Sequence, residues 1–169
     1  SNQPFQIGNC ILIANAEIFN WKDLLKENPE FDYQSNSDCE IIIHMYKKYG
    51  IERTIKSLDG EFAFVLYDIE NDDLYAGRDH LGIRGLFIGT SSTELMIGSE
   101  LKSMKQYLEI EQFRPAHYYK NGEFIQYYDY DYQIGDYSEE FIKKELNRLL
   151  TEGVRKRLMS DRPVACLLS

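Results

Sequence analysis

The sequence predicts a fold of class α+β, with hairpin-joined strands and helices set apart from them. Three observations carry the prediction. Phe62, Phe64 and Leu66 alternate with Ala63, Val65 and Tyr67, so the stretch is apolar on both faces, as a strand in the middle of a sandwich should be. Glu70-Asn71-Asp72-Asp73 and Asn121-Gly122 are polar turns of hairpin length between strand-like runs. Residues 37–50 and 138–158 carry apolar side chains at helical spacing.

Taken in order, Cys10-Ile11-Leu12-Ile13-Ala14 is a short apolar run that ends in Asn and predicts a buried strand. Trp21 to Lys26 predicts one or two helical turns, followed by a connection through Pro29 to Ser35. Ser37 or Asp38 is placed to cap a helix whose apolar side is Ile41, Ile42, Met45 and Tyr46. Gly50 is expected to close that helix. After the central strand and its turn, Leu74 to Gly77 returns. Further strands are expected at Gly85–Gly89, Leu95–Ile97, His117–Lys120 and Phe124–Tyr128, with a short helix from Ser99 to Tyr107. Asp129 to Tyr137 is polar, rich in tyrosine, and reads as a linker. Ser138 then starts a helix striped by Phe141, Leu146, Leu149, Leu150, Val154 and Leu158. Pro163 breaks it, and Val164–Leu168 reads as a buried strand opening a second domain.

A chain of 169 residues has room for one domain or slightly more, enough to form a core without metals or disulfides. Its 43% apolar and 14% aromatic content excludes disorder. The net charge of -9 would repel a nucleic-acid backbone, so no nucleic-acid partner is expected. The three cysteines are odd in number and lack CxxC spacing. They suit a reducing compartment, hence a cytoplasmic protein, better than a disulfide framework or a zinc site. No apolar run approaches the roughly 20 residues a membrane helix needs, and no signal peptide is visible.

Four motifs fall in one order: Asn15-Ala16-Glu17-Ile18-Phe19-Asn20, Asn36-Ser37-Asp38-Cys39-Glu40, Gly60-Glu61-Phe62-Ala63-Phe64 and Arg78-Asp79-His80-Leu81-Gly82-Ile83-Arg84. Met159-Ser160-Asp161-Arg162-Pro163 follows, before Val164-Ala165-Cys166-Leu167-Leu168-Ser169. This series resembles the glutamine-amidotransferase half of the glutamine-dependent asparagine synthetases. The resemblance implies a four-layer α/β/β/α sandwich of the N-terminal-nucleophile class. It also implies a partial amidotransferase domain at 1–134, and at 135–169 a linker helix and first strand of an ATP-using synthetase domain.

By the same resemblance, Asn15 and the backbone N–H of Ala16 form an oxyanion hole, and Glu17 and Asp38 hold the α-amino group of glutamine. Leu167 and Ser169 lie at the lip of an ATP site, and a Ser-Gly-Gly-x-Asp-Ser loop would begin at that serine. Ala16 stands where the family usually has glycine, and its methyl is expected to press on the substrate or on a positive φ. The implied reaction frees ammonia from glutamine by attack of a terminal cysteine. It then passes the ammonia to an aspartyl-adenylate made from aspartate and Mg-ATP. ATP and Mg²⁺ are therefore the implied cofactors, glutamine and aspartate the substrates, and a homodimer a possible assembly. The family's nucleophile is its first mature residue, and neither it nor the arginine that grips the substrate carboxylate is in the sequence. The chain accordingly reads as a portion of a longer protein.

Each residue also has a plainer reading. Asn15-x-Glu17 alone is a turn with a surface carboxylate, Asp38 alone is a helix cap, and Val164–Leu168 alone is a core strand. The Arg78–Gly82 stretch is expected to be structural, an Arg–Asp pair with a glycine turn, and His80 is not expected to be a base. Cys10, on a buried strand, is expected to be an inert thiol. Two rival functions stay open: a non-catalytic glutamine-binding or assembly module, and a related amidotransferase acting on a different carboxylate.

Overall fold

The computed structural model describes residues 2–104, 109–132, 134–160 and 163–167. They divide into two compact units, Ser1–Asp129 and Tyr130–Ser169. In the first, strands β1 (Phe5–Ile7), β2 (Cys10–Ile18), β3 (Gly60–Asp68), β4 (Asp73–Arg78), β8 (His117–Lys120) and β9 (Glu123–Gln126) form one sheet in the order β1-β2-β3-β4-β8-β9. Every neighbouring pair in it is antiparallel. Strands β5 (Phe87–Thr90), β6 (Leu95–Gly98) and β7 (Glu109–Gln112) form a second sheet in the order β6-β5-β7. Helices α1 (Trp21–Glu27) and α2 (Ile41–Ser57) complete the unit.

The double-sided pattern of β3 decides the layering. Phe62, Phe64 and Leu66 join Leu12, Ile18, Ile41, Ile42 and Ile55 in a core between the helices and the large sheet. Ala63 and Val65, pointing the other way, meet Ile88, Ile97 and Phe113 in a second core against the small sheet. Helix, sheet and sheet thus stack in that order around β3, as expected for an α+β sandwich.

Several elements differ from expectation. Gly50 does break the helical path, with φ 76°, but helix resumes and runs to Ser57, because Ile51, Thr54 and Ile55 carry the buried face onward. Between Ser99 and Tyr107 the described residues form only a tight 3-10 turn, Leu101–Met104, anchored by a fully buried Met104; residues 105–108 lie outside the described set. β1 and β7 were not expected. Both are edge strands, and β7, Glu-Ile-Glu-Gln, is too charged to read as one.

The second unit holds α3 (Glu139–Arg157), capped as expected by the Ser138 hydroxyl, which accepts the Phe141 N–H at 3.3 Å. None of its residues is buried, so the stripe through Phe141, Leu149 and Val154 stays exposed. The strand expected at Val164–Leu168 is not formed in the described part, 163–167, which is irregular and exposed. A strand exists by pairing, and no other strand is present among the described residues of this unit. Leu168 and Ser169 lie outside the described residues.

Candidate functional site

β2 bonds β3 through its odd-numbered residues. In the same register, Phe19 N–H reaches the Asp59 carbonyl (2.7 Å) and Ile69 N–H the Asn9 carbonyl (2.9 Å). Asn15 and Glu17 are therefore tied into the sheet, while Ala14, Ala16 and Ile18 turn their N–H and C=O groups to the opposite edge. β1 covers only Cys10 to Leu12 of that edge.

Side chains take up what lies beyond. The Gln3 carboxamide donates to the Ala14 carbonyl and accepts the Ala14 N–H, both at 2.7 Å. Asp38 Oδ2 accepts the Ile18 N–H at 2.6 Å. Between them the Ala16 carbonyl receives the Cys39 thiol at 3.9 Å. The Ala16 N–H faces the same edge, with no acceptor among the described residues.

The structure thus brings Asn15, Ala16, Glu17 and Asp38 together at one end of β2. Asn15 and Glu17 are exposed on the face away from the helices, and Asn15 lines a cleft of about 210 Å³ with Ala63, Val65, Leu86 and Ile97. The Ala16 methyl lies on the other face, packed against the helix-side core, and Ala16 is not among the residues with positive φ. The positive φ considered for this position is therefore not found, and the methyl points away from the face that carries Asn15 and Glu17. The helix-cap reading of Asp38 also fails: Ser37 is the cap, accepting the Cys39 N–H at 3.4 Å. The Asp38 carboxylate is drawn to the strand instead.

Cys10 stands at the far end of β2, about 17 Å from Asn15 at strand spacing. It is 4% exposed, and burial followed by the Asp68 charge raises its thiol above the ordinary value. Cys39 is pushed up to about 11 by burial and then by Asp38. Both environments suppress the thiolate a nucleophile needs. His80 packs its ring against Tyr128, with centroids 4.9 Å apart.

Two supports stand out, and only the second was expected, as a structural stretch, from the sequence. The first is Glu40, 1% exposed. Its carboxylate accepts the N–H groups of Gln34 (2.6 Å) and Ser35 (2.7 Å) and meets His44 Nε2 at 3.1 Å. The His44 ring stacks on Phe31 and Tyr33, and the Tyr33 hydroxyl donates to the Ser37 carbonyl at 2.6 Å. The loop presenting Asp38 is therefore fixed from below. A carboxylate placed directly before Ile41-Ile42-Ile43 was the available signal, since a charge at the start of a buried run needs partners.

Burial would raise the Glu40 carboxyl, but hydrogen bonds from Ser35, Gln34 and His44 outweigh it and hold it below its ordinary 4.5. Burial likewise opposes, and bonds from Asn71 and Tyr46 lower, Asp68 below 3.8. A depressed carboxyl stabilises the fold fully above its unfolded value and loses that contribution as pH falls through the folded one. The thermal midpoint should hold level above about pH 5 and drop on further acidification. The gap between wild type and Glu40→Gln should narrow over the same range; a gap independent of pH would count against the assignment.

The second support is the loop after β4. Arg78 and Asp79 do not pair with each other, contrary to expectation, because each is consumed by backbone. Arg78 donates to the carbonyls of Arg84 (2.8 Å), Phe113 (2.6 Å) and Gly82 (2.6 Å). Asp79, 1% exposed, accepts the N–H groups of Leu81, Ile83, Arg84 and Phe62 at 3.0–3.3 Å. Gly82 has φ +67°, and a Cβ there would sit 2.8 Å from Pro115 Cγ. Asp79 holds donors and Arg78 holds acceptors, so the loop cannot shift without breaking both.

Comparison with known proteins agrees with this architecture. The chain is 39% identical over 188 residues to the glutamine-hydrolysing asparagine synthetase of Mesocricetus auratus, covering 94% of this chain and 33% of that protein. The Homo sapiens synthetase is 37% identical with the same coverage. The probable asparagine synthetase of Acanthamoeba polyphaga mimivirus is 37% identical over 196 residues, covering 99% of this chain and 35% of its own. The chain spans about a third of the length of these curated relatives. Among solved structures, glutamine phosphoribosylpyrophosphate amidotransferase from B. subtilis superposes with a TM-score of 0.65 at 20% identity, over 75% of this chain and 32% of that one. A structure described as the allosteric regulatory enzyme of purine biosynthesis gives 0.60 at 23%, over 72% and 29%. At those identities the likeness shows the fold alone, which is that of the N-terminal-nucleophile amidotransferases. Residues 1–106 match the family described as glutamine amidotransferase domain, well over half the chain, and the chain belongs to that family.

Proposed function

We propose that this chain is the glutamine-handling part of an ATP-dependent asparagine synthetase, in which ammonia released from glutamine amidates aspartate. One observation carries the reading. At the end of β2 an Asn side chain, an edge N–H with no acceptor among the described residues and a carboxylate stand on consecutive residues, with Asp38 tied to the next. Asn15 and the Ala16 N–H are the two donors that a tetrahedral oxyanion at the glutamine side-chain amide requires. Glu17 and Asp38 are the charge-assisted acceptors for its α-ammonium. The open edge at Ala16, between the Gln3 and Asp38 contacts, supports this assignment.

Residues 1–134 are assigned to the amidotransferase domain and 135–169 to the start of the ATP-using domain, with Leu167 and Ser169 at the nucleotide. The described residues offer no fitted site for ATP or Mg²⁺. Leu167 is fully exposed and outside any strand, and no group of three His, Cys, Asp or Glu side chains able to hold a metal occurs among the described residues. The same reading places the enzyme in the cytoplasm and admits a homodimer. Among the described residues no helix is long and apolar enough to cross a membrane.

In the full-length enzyme, Glu17→Gln or Asp38→Asn should raise the KM for glutamine about tenfold or more, the worth of a charge-assisted hydrogen bond, yet spare synthesis from free ammonia. Equal loss of both activities would show that these carboxylates serve the fold and not the substrate.

A further inference from the structure

Asp38 is one of the two carboxylates assigned to the α-ammonium of glutamine, yet it stands on a loop and not on the sheet. An acceptor contributes its full strength only if it is already in place when the ligand arrives. We propose that Glu40 is a positioning residue for glutamine binding, holding the loop that presents Asp38, with His44 as its own support. Buried to 1% exposure, Glu40 is out of reach of the substrate, so it acts through Asp38. This rests on the pocket reading above and adds to it the residue that keeps one acceptor in place.

The segment before Asp38 has no ladder to hold it. Residues 31–37 are irregular, and side chains take up loop donors that a sheet would otherwise pair. Gln34 gives its N–H to Glu40 Oε1 and Ser35 gives its own to Oε2. The Ser37 N–H goes to the Ser35 hydroxyl at 3.1 Å. Glu40 is also the last residue of the 3-10 turn Asp38–Glu40. Its carboxylate therefore closes the chain from Gln34 to Glu40 into a ring, and Asp38 sits on that ring. His44 Nε2 meets Glu40 Oε1, the oxygen that takes the Gln34 N–H. Because the His44 ring is stacked on Phe31 and Tyr33, it keeps the carboxylate from swinging away.

On its other side the ring is pinned to the strand by Asp38 itself. Asp38 Oδ2 accepts the Ile18 N–H at 2.6 Å. Oδ1 is left for the ammonium, its neighbour being the Cys39 thiol at 3.7 Å, a weak donor. One bond to a strand edge fixes a distance and leaves the direction of Oδ1 open; the ring sets that direction. Without the Glu40 carboxylate, the Gln34 and Ser35 N–H groups lose their acceptors, and the loop must rearrange to satisfy them. β2 has no part in that rearrangement, because Asn15 is held by its ladder to β3. The oxyanion donors stay where they are, and the loss is confined to the ammonium end.

The test is steady-state kinetics of the full-length enzyme with glutamine and, separately, with free ammonia, well below the thermal midpoint of every variant. Glu40→Gln keeps the size of the side chain but sets an NH₂ donor against a loop N–H that needs an acceptor. It should raise the KM for glutamine about threefold to tenfold, and by no more than Asp38→Asn does. Its kcat with glutamine and its rate with ammonia should stay within about twofold of wild type. His44→Phe keeps the stack and loses the Nε2 contact, so it should raise the same KM by less. In the Asp38→Asn background Glu40→Gln should add nothing, because the acceptor it places is already gone. The proposal is overturned if Glu40→Gln leaves the KM at the wild-type value, or if kcat falls with it, as a lost fold would cause. It is equally overturned if the effect of Glu40→Gln survives in full beside Asp38→Asn, since Glu40 would then act by another route. If Asp38→Asn itself leaves the KM unchanged, the pocket reading falls. If Asp38→Asn raises it and Glu40→Gln does not, only the role of Glu40 is lost.

Discussion

Asn15→Ala in the full-length enzyme is expected to lower the glutamine-dependent rate by about 100-fold or more, the usual cost of removing one oxyanion donor. The loss should fall on kcat, because the oxyanion forms only in the transition state and the ground-state carbonyl gains little from the same donor. Folding should be almost unaffected. The Asn15 side chain is exposed, its backbone stays in the ladder with Ala63, and alanine fits an ordinary strand position. A thermal midpoint within error of wild type, together with a collapsed kcat, is the expected pair of results. An unchanged rate would remove Asn15 from the hole and leave the Ala16 N–H without its partner donor.

Asp79→Ala is expected to be the most destabilising single change in the first unit, by about 3 kcal/mol or more. The carboxylate is 1% exposed and serves four N–H donors, from three residues of the loop and from β3. Alanine strands all four at once and leaves Arg78 a buried cation without its nearest negative neighbour, whose charge favours the guanidinium. Denaturant unfolding gives the measurement. A midpoint shift worth less than about 1 kcal/mol would mean that water replaces the carboxylate in the loop. Asp79→Asn should recover only part of the loss, because an amide brings two donors where four acceptor contacts are needed.

Much of the fold was legible because some segments admit one answer. A stretch apolar on both faces, such as 62–67, fits nowhere but between two layers, and β3 lies there. Ser138 before a striped run is a cap by chemistry alone, and it caps α3. The four motifs also brought the residues of the proposed pocket to notice, and the register sets three of them side by side with Asp38.

What escaped depends on partners distant in sequence. Nothing in Gly60-Glu61-Phe62 says that Glu61 will oppose Glu17, since that is a property of register and not of either strand. Arg84 was visible only as the end of a loop motif. Its meeting with Glu61 follows from how Asp79 and Arg78 fold that loop. The expected strand at 164–168 shows the converse: an apolar run states a preference, and pairing is what realises it.

The contacts along the outer edge of β2 also bear on the behaviour of this protein in concentrated solution. A bare run of strand offers a row of backbone groups on which another chain can template itself and start an aggregate. Gln3 uses its carboxamide as if it were one peptide unit of an adjoining strand, and Asp38 closes the row four residues later. The stretch from Ala14 to Ile18 is thereby cut to a gap one residue wide, too narrow for an intruding strand to register. A surface that would otherwise invite self-association is closed to other strands.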